Sequence, residues 1–168
     1  LKVESEKGKG SKFFFEIELQ KSEAPITEKS SEFTDYEAIK GMRILLVEDN
    51  EMNRVLANAV LQKWELKVDE AVNGQIAVDM LSYKEYDMVL MDMQMPVLDG
   101  FGATKAIRQE LKLDIPVVAL TANALQSETK KCLEAGMNAY VCKPYKPDDL
   151  LKVIHLARMC SQASLYTA

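Results

Sequence analysis

The chain has 168 residues, 48% of them hydrophobic, which suits one ordinary domain with extensions and supplies a real core. Its 21 basic and 26 acidic residues give a formal net charge of -5, and its longest basic runs are Lys-Lys and Lys-Gly-Lys, which argues against nucleic acid as a direct partner. No run approaches the roughly 20 apolar residues of a membrane helix, the first residues carry charges where a signal peptide would be apolar, and Cys132, Cys142 and Cys160 lack metal spacing, so a soluble cytoplasmic protein is expected, with no membrane contact.

Gly8 and Gly10 precede an alternating segment in which Phe13, Phe15, Ile17 and Leu19 face one way and Lys12, Phe14, Glu16 and Glu18 the other, the pattern of a strand with a buried face. Residues 21–40 mix Ser, Thr, Glu and Lys with one Pro, the composition of a linker. From Met42 a strand-then-helix unit recurs five times. Strands are predicted at 43–48, 66–71, 86–91, 115–120 and 139–142, and helices at 51–64, 74–83, 100–111, 125–135 and 148–160. The run Arg-Ile-Leu-Leu-Val-Glu at 43–48 is apolar on both faces, as a central parallel strand must be. Gly136 is placed as a helix C-terminal glycine and Pro147 as a helix-start proline. Alternation of this kind implies an α/β fold, a doubly wound parallel sheet with right-handed crossovers.

Such sheets bind ligands at the carboxyl ends of their strands. There the sequence sets Glu48 and Asp49 after the first strand, Asp92 after the third, Thr121 after the fourth and Lys143 after the fifth. A phosphate loop after the first strand would need Gly or Ser to offer backbone amides, whereas this one reads Glu-Asp-Asn-Glu. Adjacent carboxylates repel phosphate, so the site must bind a cation first. Glu48, Asp49 and Asp92 are hard oxygen ligands of the kind that suit Mg²⁺. An ionised Asp92 can then attack phosphorus to form an aspartyl phosphate, with the cation, Lys143 and Thr121 each taking one phosphoryl oxygen. Plainer readings exist. Asp49 or Asn50 could cap the first helix, Asp99-Gly100 suits a turn and helix start, Tyr140 a half-buried strand aromatic and Lys143 a solvated lysine. His155, the only histidine, reads as a partly exposed helix residue. Met88 and Met91 follow the strand alternation into the core, and Met93 and Met95 are expected at the pocket mouth.

The motifs Ile44-Leu-Leu-Val-Glu-Asp-Asn50, Met91-Asp-Met-Gln-Met-Pro96 with Asp99-Gly100, Ala119-Leu-Thr-Ala122 and Cys142-Lys-Pro144 together resemble the receiver domain of two-component response regulators, over residues 42 to about 160. Asn53-Arg54, Ala135-Gly-Met-Asn138 and the Thr-Ala-Asn-Ala stretch resemble receivers fused to hybrid sensor histidine kinases. Residues 3–19 resemble the last hairpin of a histidine-kinase ATP-binding domain. The resemblance implies a flavodoxin-like sheet of five parallel strands in the order 2-1-3-4-5, with a kinase remnant at 1–20, a linker at 21–40, the receiver at 41–160 and a tail at 161–168. It implies Asp92 as phosphoacceptor, Glu48, Asp49 and the Gln94 backbone carbonyl with Asp92 as Mg²⁺ ligands, and Thr121 and Lys143 as phosphate partners. It also implies that Thr121 and Tyr140 switch the face made by the last two helices and last strand, and that the bond before Pro144 is cis. Glu48 departs from the more usual Asp. As a fragment without nucleotide boxes or the phosphorylated His the chain would be no ATP-using enzyme, though its full-length parent would be a histidine kinase. With only some eight residues after the last helix, no DNA-binding domain is expected beyond it, and output would pass to another domain or protein.

On the first helix Leu56, Val60 and Trp64, with Ala57 and Leu61, form one apolar stripe expected to cover the sheet. Met52, Val55 and Ala59 form a second, wider than one core-facing stripe requires. This surplus predicts docking of a four-helix histidine-phosphotransfer protein or of a kinase's own phosphohistidine helix, with the linker as the plainer occupant; a homodimer is a further partner candidate for the chain, at no assigned surface. Two functional rivals remain: a haloacid dehalogenase type phosphohydrolase, which would need an acid where Gln94 stands, and an unphosphorylated binding module on the same fold.

Overall fold

A computed structural model describes residues 2–6, 8–14, 36–122 and 126–163, in two units divided between Glu32 and Phe33. In the first unit β1 (Lys2–Glu6) pairs antiparallel with β2 (Gly10–Phe14) around a turn in which Lys9 N donates to Glu6 O at 3.0 Å. Gly8 adopts φ 88° there, a left-handed conformation that costs glycine nothing. Every described residue of β1 is exposed. The buried face expected on Phe13, Phe15, Ile17 and Leu19 and the linker over 21–35 lie outside the residues whose side chains are described.

The second unit starts with a short 3-10 turn at Tyr36–Ala38 and continues through β3 (Arg43–Val47), α1 (Glu51–Lys63), β4 (Lys67–Ala71), α2 (Gly74–Tyr83), β5 (Met88–Asp92), α3 (Gly100–Gln109), β6 (Val117–Thr121), α4 (Gln126–Glu134), β7 (Ala139–Cys142) and α5 (Pro147–Ala163). All pairings in this unit are parallel and the order is β4-β3-β5-β6-β7, the expected 2-1-3-4-5 arrangement when the strands of this unit are counted by themselves. Strand alternation builds two cores. Ile44 and Leu46 point to the face covered by α1 and α5, where Leu61, Trp64, Leu150, Leu151 and Ile154 are buried. Leu45 and Val47 point to the other face, against Ala77, Val78 and Leu81 of α2 and Ala103 and Ile107 of α3. On this second face α2 and α3 approach each other through small residues. A Cβ on Gly74 would stand 2.5 Å from the Leu98 carbonyl oxygen and 2.8 Å from Ala103 Cβ, so α2 must start with glycine to lie against α3.

Several boundaries move for physical reasons. Ile39, expected in the linker, is fully buried in the α1/α5 core, and Gly41 N and the Lys40 ammonium bind the Glu65 backbone oxygen and side chain at 3.1 and 2.9 Å. β6 starts two residues late because Pro116 has no N–H, the Ile115 carbonyl is taken by Arg108 Nη2 at 2.8 Å, and Val117 N donates to Asn138 Oδ1 at 2.9 Å. β5 starts at Met88, since Asp87 Oδ2 instead accepts from Arg43 N at 2.6 Å. At the other end Asp92 is the last residue of the strand, paired with Leu120, rather than the first of the loop. Gly136 ends α4 at φ 94° with Met137 N reaching back to Cys132 O at 3.0 Å, and Pro147 opens α5, both as expected.

One helix assignment is corrected. On α1 the buried residues are Ala57 and Leu61, followed by Trp64, whereas Leu56 is 64% exposed. The stripe 57, 61, 64 runs straight along the helix, and Leu56 lies a 100° step away from it. Leu56 thus joins Met52, Val55 and Ala59 on the outer face, while Val60 is half-buried against the core.

Candidate phosphoacceptor site

The parallel strands deliver their carboxyl ends to one edge, and the chemistry-bearing residues gather there. Glu48 stands directly after β3 and is 2% exposed, Asp92 ends β5 at 7%, and Thr121 ends β6 at 5%. Asp49, next to Glu48, is exposed. Lys143 comes directly after β7, and its bond to Pro144 is cis, as expected. Asn50 caps α1, its side chain accepting from Asn53 N at 3.1 Å, and Asp99 caps α3 through Gly102 N at 2.7 Å. The capping role falls to Asn50, so Asp49 keeps its carboxylate for the pocket.

Lys143 Nζ lies 2.5 Å from Glu48 Oε2 and 2.9 Å from Asp92 Oδ2, tying the fifth strand's end to the first and third. Gln94 N donates to Asp92 Oδ1 at 3.3 Å, and Asn53 Nδ2 donates to Glu48 Oε1 at 2.9 Å. Arg54 Nη1 donates to the Glu48 and Asp49 carbonyl oxygens at 3.1 and 2.9 Å, and its Nε to Glu70 on β4 at 3.2 Å. A cleft of about 580 Å³ is lined by Glu48, Asp49, Asp92, Gln94 and Lys143, with Asn53 at its wall.

Burial pushes the Asp92 carboxyl above its ordinary value; the Lys143 ammonium works against that rise and the Glu48 charge adds to it. For Lys143, burial disfavours the ammonium, but its bonds to Glu48 and Asp92 outweigh burial and hold the group above the ordinary lysine value. Ligand oxygens of Glu48, Asp49 and Asp92 all lie within 4.8 Å of one another. Three converging carboxylates, one of them open to solvent, fit a hard divalent cation.

Among the expected site residues, Glu48, Asp49, Asp92, Gln94 and Lys143 are brought to one cleft. Thr121 is placed at the adjacent strand end with its side chain buried. Tyr140 stands apart from the cleft, on the edge strand β7, 41% exposed. Met52 and Val55 are 75% and 59% exposed on α1, and Ala59 is exposed beside them. Met93 is a correction: it is buried in the α2/α3 core rather than at the pocket mouth, and Met95 packs half-buried against the same core, because the chain folds back after Asp92 to bring Gly100 N within 3.3 Å of Met93 O. His155 is half-buried on α5, as expected. Asn53 and Arg54 are legible only as a motif; an amide and a guanidinium carry no sign in a sequence of what they will bind.

Residues 44–155 match the response regulator receiver domain family. The chain belongs to that family. Among curated proteins the receiver and its flanks are similar to the autoinducer 2 sensor kinase/phosphatase LuxQ of Vibrio vulnificus, 36% identical over 155 residues that cover 89% of this chain and 18% of that protein. They are also similar to histidine kinase 1 of Arabidopsis thaliana, 38% identical over 143 residues that cover 64% of this chain and 12% of the relative. The chain thus spans less than a fifth of these relatives. Among solved structures, the receiver domain of the sensor histidine kinase PA1611 from Pseudomonas aeruginosa, with magnesium coordinated in its active-site cleft, is 42% identical with a TM-score of 0.65, covering 71% of this chain and 98% of that one. The Saccharomyces cerevisiae Ssk1 receiver, solved with the histidine phosphotransfer protein Ypd1, is 31% identical with a TM-score of 0.67, covering 73% of this chain and 93% of that one.

Proposed function

We propose that this chain is a phosphorelay receiver in which Asp92 takes a phosphoryl group from a phosphohistidine. The observation that carries the reading is the Asp92 carboxylate held 2.9 Å from Lys143 Nζ and within 4.8 Å of ligand oxygens on Glu48 and Asp49. Glu48, Asp49, Asp92 and the Gln94 carbonyl are the groups that would hold Mg²⁺, and the magnesium in the cleft of the PA1611 receiver supports that assignment. Bound there, the ion would supply positive charge to offset that of the carboxylates and of a phosphoryl oxygen.

The remaining work falls to the chain's own residues. An Asp92 carboxylate oxygen attacks phosphorus, and the bond from phosphorus to the donor imidazole nitrogen breaks with its electron pair on that nitrogen, leaving an aspartyl phosphate. The Lys143 ammonium, kept protonated by its carboxylate neighbours, pairs with one phosphoryl oxygen, and the Thr121 hydroxyl donates to another. As Thr121 shifts, Tyr140 turns inward from its exposed position and changes the face formed by α4, β7 and α5. Later hydrolysis uses the same groups, so the domain catalyses both its own phosphorylation and its own dephosphorylation. Gln94 offers no acid at the position where a haloacid dehalogenase type hydrolase needs one, so that rival has no support in these residues.

Met52, Val55, Leu56 and Ala59 form the docking patch for a four-helix phosphotransfer protein or the His-bearing helix of a kinase, and the Ssk1 receiver's complex with Ypd1 supports a partner of that kind. The match to LuxQ covers more of this chain than residues 42–168 contain and so reaches upstream of the receiver. That supports a hybrid sensor histidine kinase as the parent, with residues 1–20 as the end of its ATP-binding domain and this piece on the cytoplasmic side. The test is incubation with acetyl phosphate or a phosphorylated histidine donor and Mg²⁺, read by intact mass. One phosphoryl adduct is expected on the wild type and none on Asp92→Ala; absence of an Asp92-dependent, acyl-phosphate-labile adduct refutes the reading.

A further inference from the structure

We infer that Asn53 is a positioning residue for the acidic pair, holding the Glu48 carboxylate in the orientation from which it serves the cation; the inference rests on the receiver reading and deepens it. Glu48 is 2% exposed, and each of its oxygens accepts from a different element: Oε1 from Asn53 Nδ2 on α1 at 2.9 Å, Oε2 from Lys143 Nζ beyond β7 at 2.5 Å. Glutamate carries one more rotatable bond than aspartate, so a glutamate here needs an added constraint to present a fixed carboxylate. Lys143 is a weak constraint on direction, because its ammonium is shared with Asp92 and its donors rotate. The Asn53 amide is planar, and its residue is fixed in the first turn of α1, where its backbone N–H is bound by Asn50 Oδ1 at 3.1 Å.

The cap bond already satisfies the helix, so the Asn53 side chain is free for a different task. Arg54 completes the device: its side chain is 14% exposed, and it grips the Glu48 and Asp49 carbonyls while anchored on Glu70. Successive residues of α1 therefore fix the side chain and the backbone of the pair. A group that holds a metal-binding carboxylate in place typically changes metal affinity about 10- to 100-fold when removed.

The experiment is calorimetric titration of the full chain with MgCl₂ for wild type, Asn53→Ala, Glu48→Gln and the double variant, with thermal melts alongside. Asn53→Ala is expected to weaken Mg²⁺ binding about ten-fold at an unchanged melting temperature. In the Glu48→Gln background the same change should cost less than about two-fold, since no carboxylate remains to be held. Should truncation lower the melting temperature, Asn53→Leu, which keeps the volume without the donor, replaces it in the same cycle. An Asn53→Ala affinity within two-fold of wild type, or an equal loss in both backgrounds, overturns the inference while leaving the receiver reading intact. A wild type that binds no Mg²⁺ overturns the metal assignment and this inference together.

Discussion

Gly100, the first residue of α3, lies tightly against the backbone of Asp92, the proposed phosphoacceptor. A Cβ there would stand 2.4 Å from the Asp92 carbonyl oxygen, 3.0 Å from Met93 Cα and 3.1 Å from Met93 Sδ. Ordinary contact is close to 1 Å longer than the first of these distances, and the atoms in the way are backbone, which cannot rotate aside. Gly100→Ala must therefore part α3 from the end of β5. Overpacking of this kind costs roughly 2–3 kcal/mol, and the conformational gain of Gly→Ala in a helix returns about 0.5–1 kcal/mol. The net loss of about 1–2.5 kcal/mol corresponds to a fall in melting temperature of roughly 4–10 °C for a domain of about 120 residues. Native protein still dominates at room temperature after such a loss, yet the backbone carrying Asp92 has moved. A displacement approaching 1 Å at a reacting group can cost up to about 100-fold, so labelling by acetyl phosphate should slow by at least about ten-fold. Gly102→Ala is the control, since its nearest neighbour is the tip of the Leu98 side chain, Cδ1 at 2.6 Å, which can swing away. It should label like the wild type and melt at the same temperature or a few degrees higher, since it keeps the helical gain without the clash. If Gly100→Ala does the same, the reasoning from close approach is wrong.

Val97 is 82% exposed at φ 71°, with Leu98 N bonded to Pro96 O at 2.9 Å; a β-branched residue there costs roughly 1–2 kcal/mol, so Val97→Gly should raise the melting temperature by a few degrees after glycine's own entropic cost. Arg108 donates to the Gly136, Leu113 and Ile115 carbonyls and to Asn138 Oδ1 at 3.0, 2.7, 2.8 and 3.1 Å, joining α3 to the loops that lead into β6 and into β7. Arg108→Met should cost about 3 kcal/mol by urea denaturation with an unchanged slope, and Arg108→Lys should not restore it, because one ammonium cannot span those acceptors; full rescue by lysine would count against the clamp. Val55→Glu should slow transfer from a phosphohistidine protein by about ten-fold, equivalent to losing one apolar anchor, and an undiminished transfer rate would rule out docking on α1.

Glu48, Asp92 and Lys143 are legible in the sequence because strands announce themselves by apolar runs, and the residue at the end of each run must sit at one edge of a parallel sheet. Ile39 is not, since a single isoleucine among polar residues makes no period, and its burial depends on Trp64 and on the α5 residues, far away in the chain. Leu56 falls on the wrong face in a reading by pattern because α1 is apolar over more than one stripe, and only the sheet decides which stripe it covers. Met93 lies one residue beyond the strand, where alternation no longer says which way a side chain points. The start of β6 depends on Asn138 and Arg108 competing for strand groups, an interaction between side chain and backbone that no local pattern encodes.

The two faces of the sheet differ in how much change they can absorb over evolutionary time. On the α1/α5 side the seal is made by large side chains, Leu61, Trp64, Leu150 and Ile154, whose volumes can be traded against one another. On the α2/α3 side Val78, Leu81 and Ile107 share the packing with points of no slack, where Gly74 meets the Leu98 carbonyl and Ala103, and Gly100 meets Asp92. Nothing smaller than glycine exists to compensate for growth at those points. A lineage carrying this domain is therefore free to revise the helix that bears its exposed apolar patch, and with it the proposed docking face, while the side that braces Asp92 stays fixed.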